Sequence, residues 1–190
     1  MISTKSVEEN KGFVSNWIKP GIGEYKIAHV EHVKPEMGSE HIKIYMESKP
    51  LEELNNEPQK GEFNLYVTER AFKYTLAQIQ AIAQAAGTPK EELDQIEAPD
   101  WATYVSKISS LITGKFLRFK FRGEEVLSKT TGNKWLKAAL PTYRFVEPIT
   151  DVVGLTFDPD KDIKTLPDPD AEDMVATSDN DTSEAENLPF

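Results

Sequence analysis

The chain has 190 residues, 38% of them hydrophobic, with no cysteine and a formal net charge of −10. That supplies one modest core plus an appendage. It excludes disulfides and thiolate metal sites, and no apolar run approaches the roughly 20 residues of a membrane span. The charge is uneven: residues 151–190 hold twelve of the 32 acids but only Lys161 and Lys164 of the 22 bases, so residues 1–150 are neutral. This asymmetry implies a folded domain over 1–150 and an acidic tail over 151–190.

Met1 to Lys19 is polar and lacks the apolar stretch of a secretory signal, which with the missing cysteine points to the cytoplasm. Trp17 and Ile18 are expected to dock onto the domain, and Pro20, Gly21 and Gly23 mark a turn. A strand follows from Glu24, with Tyr25, Ile27 and His29 on one face and Lys26, Ala28 and Val30 on the other. Pro35 and Gly38 break it. From His41 to Glu47, Ile42, Ile44 and Met46 alternate with Lys43, Tyr45 and Glu47, the mark of a half-buried strand. Pro50 to Gly61 reads as polar turn, and a third strand spans Glu62 to Thr68, with Phe63, Leu65 and Val67 inward and Tyr66 outward.

The period then changes to about 3.6. Phe72, Leu76, Ile79, Ala83 and Ala86 predict a helix ended by Gly87, and Thr88-Pro89-Lys90-Glu91 reads as a capping box with proline at the first helical position. Pro99-Asp100 opens a third helix, with Trp101, Tyr104, Val105, Ile108, Leu111 and Ile112 on its apolar side. This helical block covers about 69–113. Alternation returns at Lys115: Leu117, Phe119 and Phe121 face inward, while Phe116, Arg118, Lys120 and Arg122 face outward. Gly123 marks a bulge or bend, and the strand resumes over Glu124 to Leu127. Ser128 to Asn133 is a hairpin loop, and a last strand runs from Lys134 to about Val146, broken by Pro141. Residues 165–190 carry eight acids and no base, and are expected to be disordered.

The predicted fold is mainly β with a helical insertion: a five-stranded OB-like barrel with helices between strands three and four, followed by the tail. An α+β sheet with helices on one face is the alternative. The outer face of Lys115 to Arg122 interleaves the ring of Phe116 with Arg118, Lys120 and Arg122. Single strands are held in this way, cations following phosphates and rings stacking on bases; the same charges on a plain solvated face protect an edge. The hairpin adds Lys129, Lys134 and Lys137 around Trp135, unless Trp135 packs on the helices. Lys43, Tyr45 and Tyr66 extend this surface. At the C-terminus, Asp179, Asp181, Glu184 and Glu186 precede Leu188-Pro189-Phe190. A negative field ending in one large ring suits a partner pocket that is apolar and rimmed by Lys or Arg.

The tail resembles that of bacterial and phage single-stranded-DNA-binding proteins: Asn187-Leu188-Pro189-Phe190 stands where that family has its apolar tip. Lys19-Pro20-Gly21-Ile22-Gly23-Glu24-Tyr25-Lys26-Ile27 resembles, more loosely, the approach to the first barrel strand of small phage members. The resemblance implies an OB fold, non-enzymatic coating of single strands in a bacterial cytoplasm, and recruitment of replication, recombination and repair proteins through the tail. No metal or cofactor is expected: His29, His32 and His41 lack ligand spacing, and no nucleophile or phosphate-loop motif is present. An acidic-tailed interaction adaptor or DNA mimic, with no strand binding of its own, is the competing reading. Open cations beside exposed rings favour strand binding; pairing of the Lys115 to Lys137 cations with acids of the helical block favours the adaptor, and Arg118, Lys120 and Arg122 neutralised by neighbouring carboxylates would overturn strand binding by this face.

Overall fold

The computed structural model describes residues 16–128 and 132–166. Strands β1 (Gly21–Val33), β2 (His41–Leu51) and β3 (Glu57–Tyr66) form an antiparallel meander. Helices α1 (Phe72–Ala85), α2 (Lys90–Leu93) and α3 (Trp101–Ile112) follow, then β4 (Phe116–Leu127) and β5 (Lys134–Ala139). The short β6 (Val146–Glu147), α4 (Pro159–Asp162) and β7 (Ile163–Lys164) complete the described chain. The sheet path is β3-β2-β1-β4-β5, and β6 and β7 both pair with β4. All pairings are antiparallel except that of β4 with β7. Among the described residues no ladder joins β3 to β5, so the sheet is open there.

The inward residues named by alternation form the core. Ile27, Ile42, Ile44, Met46, Phe119 and Phe121 are almost fully buried with Ile82, Ile108, Ile112 and Phe145 from the helices and the β5–β6 connection. The Phe121 ring stacks on Phe63 at 4.7 Å between centroids and meets Tyr25 edge-on at 5.2 Å, arrangements that add to the apolar burial.

Several local expectations are corrected. A bulge lies between Ile27 and His29, so Ala28 is an extra residue; His29 turns outward and Val30 inward, reversing the predicted faces. The second and third strands extend into the stretch read as turn. Only Glu52–Leu54 (a 3-10 turn) and Asn55 and Asn56, both at positive φ, reverse the chain before β3. The inner face of α1 is Thr75, Gln78, Ile79, Ile82 and Ala83 rather than one containing Phe72. The Thr75 hydroxyl donates to Tyr66 O at 2.5 Å and Gln78 Nε2 to Pro141 O at 2.9 Å, so these polar groups are satisfied while buried. Phe72 instead meets Trp101. Pro89 is the N-cap of α2, and no side chain caps it, so the capping box is not formed. At α3, Asp100 does cap, accepting the Thr103 N–H at 2.7 Å. That bond is the chief reason its carboxyl lies below the usual range. Pro141 divides the last predicted strand into β5 and β6.

The largest correction concerns the domain boundary expected at 150. Residues 151–166 pack on the sheet as a strap. β1 leaves the edge of β4 opposite Phe121, and β7 takes up that edge opposite Gly123 and Glu124. Gly123 allows this close approach, because a Cβ there would stand 3.3 Å from both Pro20 and Ile163.

Candidate functional site

β4 was expected to present open cations, and that expectation is corrected. Arg118 is only 8% exposed and forms ion pairs with Glu147 at 3.0 Å and Glu24 at 3.3 Å. Its guanidinium also donates to Thr150 O and Val152 O, and the bond to Glu147 is the leading cause of its raised pKa. Lys120 Nζ pairs with Asp162 at 3.0 Å, and Arg122 Nη2 with Glu124 at 2.6 Å. Arg118 and Lys120 thus fasten the strap to the sheet. The carboxylates come from β1, β4, β6 and α4, not from the helical block. Phe116 remains partly exposed, with Lys49 Nζ 5.8 Å from its ring centroid. Lys134 pairs with Glu125 at 3.4 Å.

The rings gather elsewhere, in three adjoining hollows along the open side of the sheet. The first, about 420 Å³, crosses the outer face of β1–β3 and is lined by His29, Tyr45, Trp17 and Lys60. The Tyr45 hydroxyl donates to Glu31 at 2.7 Å, a bond that raises its pKa, and its ring lies 5.5 Å from Lys43 Nζ. The second, about 700 Å³, fills the gap between β3 and β5; its walls include Trp17, Lys19, Trp135, Lys137 and Phe157. The third, about 410 Å³, is bounded by β3, β5 and α1, and Tyr66, Tyr74, Arg122 and Lys137 line it. Trp17 borders the first two hollows and Lys137 the last two, so the three form one track.

Local structure sets this geometry. The backbone at Trp17 forms a parallel bridge with Lys60, and Ile18 N donates to Lys60 O at 3.0 Å. Ile18 plugs into the core over Gly61, where a Cβ would lie 2.9 Å from its Cδ1. Extended backbone then turns Trp17 and Lys19 the other way. β5 also brings Trp135 and Lys137 to the groove, but there the intervening Leu136 is 46% exposed and lines the hollow as well. Ile18 docks as expected and is only 6% exposed, whereas Trp17 is 61% exposed and Trp135 53%. Trp135 projects outward as read from the sequence.

The electrostatics of the track follow from its pairs. Its acids are matched: Glu47 with Lys26, Glu62 with Lys43, Glu124 with Arg122. Lys19, Lys60 and Lys137 have no carboxylate within ion-pair distance among the described residues, which leaves the track positive.

Of the residues singled out from sequence, Tyr45, Tyr66, Arg122, Trp135 and Lys137 therefore line the track, and Lys43 flanks it through Tyr45 and Glu62. Phe116, Arg118, Lys120 and Lys134 are not among its lining residues. Lys129 and the tail residues Asp179, Asp181, Glu184, Glu186, Leu188, Pro189 and Phe190 lie outside the described residues. Trp17, Lys19, Lys60, Tyr74 and Phe157 were missed. For the first two a signal existed: Trp17-Ile18-Lys19 repeats the pattern of Trp135-Leu136-Lys137. Among the described residues no three His, Asp or Glu side chains cluster as metal ligands, and no helix is long and apolar enough to cross a membrane. No family model matches the chain, and a search of curated proteins finds no match either.

Proposed function

We propose that the protein binds single-stranded DNA without catalysing a reaction on it, coating strands in the cytoplasm during replication, recombination or repair. The observation that carries this reading is the track itself: two Trp-x-Lys tripeptides border one groove, with lysines that pair with no carboxylate among the described residues. Indoles and phenols stack on bases of any sequence, and the lysines attract phosphates. The connectivity supports the same reading. The path β3-β2-β1-β4-β5, with helices between β3 and β4, is one an OB-like barrel open between β3 and β5 can take. The acidic tail then acts as the recruiting arm, its Leu188-Pro189-Phe190 tip inserting into partners.

One observation favours the second reading, an interaction adaptor. Arg118, Lys120 and Arg122 are all paired with carboxylates, so the support expected from β4 is withdrawn.

A fluorescence titration with oligo-dT separates the two, run on the full chain and on a chain lacking the last ten residues. Binding is expected for both, unchanged or stronger without the tip. With three lysines meeting phosphates, log K should fall against log [salt] with a slope near −2, at about −0.7 per phosphate. No binding by either form, or binding indifferent to salt, leaves the adaptor.

A further inference from the structure

The third hollow adjoins the groove between the tryptophans, yet its chemistry differs. Two tyrosines on separate elements, Tyr66 on β3 and Tyr74 on α1, border it and are 49% and 52% exposed. Arg122 and Lys137 enter from β4 and β5. Of the acids there, Glu62 is paired with Lys43, which lies outside the hollow, and Glu124 with Arg122. One positive charge is left over, the complement of one phosphodiester. The Arg122 fork is unsaturated: Nη2 meets Glu124, but Nε is a buried nitrogen with no hydrogen-bond partner among the described residues. Its pair with Glu124 is solvent-screened on both sides, so a phosphate oxygen competes readily for the guanidinium. Thr75 and Gln78 are already engaged with backbone carbonyls and hold α1 in place rather than offering ligand contacts. About 410 Å³ falls within the roughly 300–1,000 Å³ of small-ligand pockets.

We propose that this hollow is a nucleotide subsite: one unstacked nucleotide of the bound strand places its phosphodiester between Arg122 and Lys137 and its base against Tyr66 and Tyr74. The proposal rests on the strand-binding reading and extends it to the helical block, which contributes Tyr74. Lys137 borders both hollows, so the strand passes from the tryptophan groove into the subsite without a break. A base held in a duplex cannot enter, which makes the subsite selective for unpaired strands.

Oligo-dT of about 4 and about 16 nucleotides, the limits for a single OB-type fold, tests this by fluorescence anisotropy. The short oligomer occupies the tryptophan groove; the long one reaches the subsite. Tyr74→Ala and Arg122→Gln should each weaken the long oligomer about fivefold or more, the low end of one lost stack, and leave the short one unchanged. Tyr74→Phe should restore affinity, and Arg122→Gln should lower the salt slope by about 0.7. Circular dichroism verifies that each variant is folded. Equal losses on both oligomers, no loss on the long one, or a Phe variant as weak as Ala overturns the subsite alone. Wild-type protein that binds neither oligomer overturns the strand-binding reading, and the subsite with it.

Discussion

Replacing Trp17 and Trp135 by alanine, singly and together, is the most direct probe of the groove. Deleting a buried tryptophan costs about 3–5 kcal/mol of stability. Each indole is more than half exposed, so less than half of that is at stake, about 2 kcal/mol at most. A domain stable by about 5–15 kcal/mol stays folded after either change. Binding should respond more strongly. One base stack is worth about 1–3 kcal/mol, a loss of roughly 5- to 150-fold in affinity for each variant. Because both indoles border the same 700 Å³ groove, their losses should not add; a coupling of about 0.5–3 kcal/mol is expected in the double-mutant cycle. Anisotropy titration with labelled oligo-dT measures affinity, and thermal unfolding followed by circular dichroism measures stability. Affinities that stay at the wild-type value in both folded single variants would refute the groove as the binding site.

Two further predictions concern the scaffold. Phe121→Ala removes the ring that meets Phe63, Phe119 and Tyr25 and should destabilise the fold by about 3–5 kcal/mol in urea unfolding; a loss under about 1 kcal/mol contradicts the packing account. The strap should loosen in acid. Asp162 lies below the usual carboxylate range because it accepts the Asp158 N–H and then because of Lys120; Asp158 is lowered chiefly by Lys161. Groups with depressed folded values contribute stability above the unfolded pKa, about 3.9, and lose it as pH falls through the folded value. Hydrogen-exchange protection at Ile163 and Lys164 should therefore hold from pH 8 to 5 and drop below about pH 4. Protection unchanged at pH 3 contradicts this role for the two carboxylates.

The strands were legible where one face is buried and the other wet. Ile42, Ile44 and Met46, or Leu117, Phe119 and Phe121, alternate because only one side meets the core, and burial follows that alternation. What alternation does not reveal is the covering layer. Arg118 reads as exposed because it points away from the core, yet Glu24 and Glu147, 94 and 29 residues distant, close over it. The same limit hid Trp17: three residues of extended chain carry too little periodicity to mark a strand, and their partner, Lys60, is far along the sequence. The bulge at Ala28 reversed a face because one inserted residue has no compositional mark. Phe72 was assigned inward by helical spacing, but the aromatic contact with Trp101 competes with the core for it, and the hydrogen bonds of Thr75 and Gln78 hold the helix in its observed rotation.

Among the described residues, β4 pairs with β1 from early in the sequence and with β6 and β7 from late in it, and this bears on how the molecule comes into being. Gly21 finds its partner, Phe121, roughly a hundred residues later. β3 ends at Tyr66 and β4 begins at Phe116, so at a synthesis rate of about 5–20 residues per second the finished β1–β3 meander waits about 3–10 s on the ribosome with the edge of β1 bare. The strand that ends this wait brings its own solubilising groups: Arg118 arrives with Glu24 as its one carboxylate partner and Lys120 with none, and they gain Glu147 and Asp162 only when those residues emerge. The same side chains that fasten the finished strap would thus guard the growing chain against sticking to its neighbours.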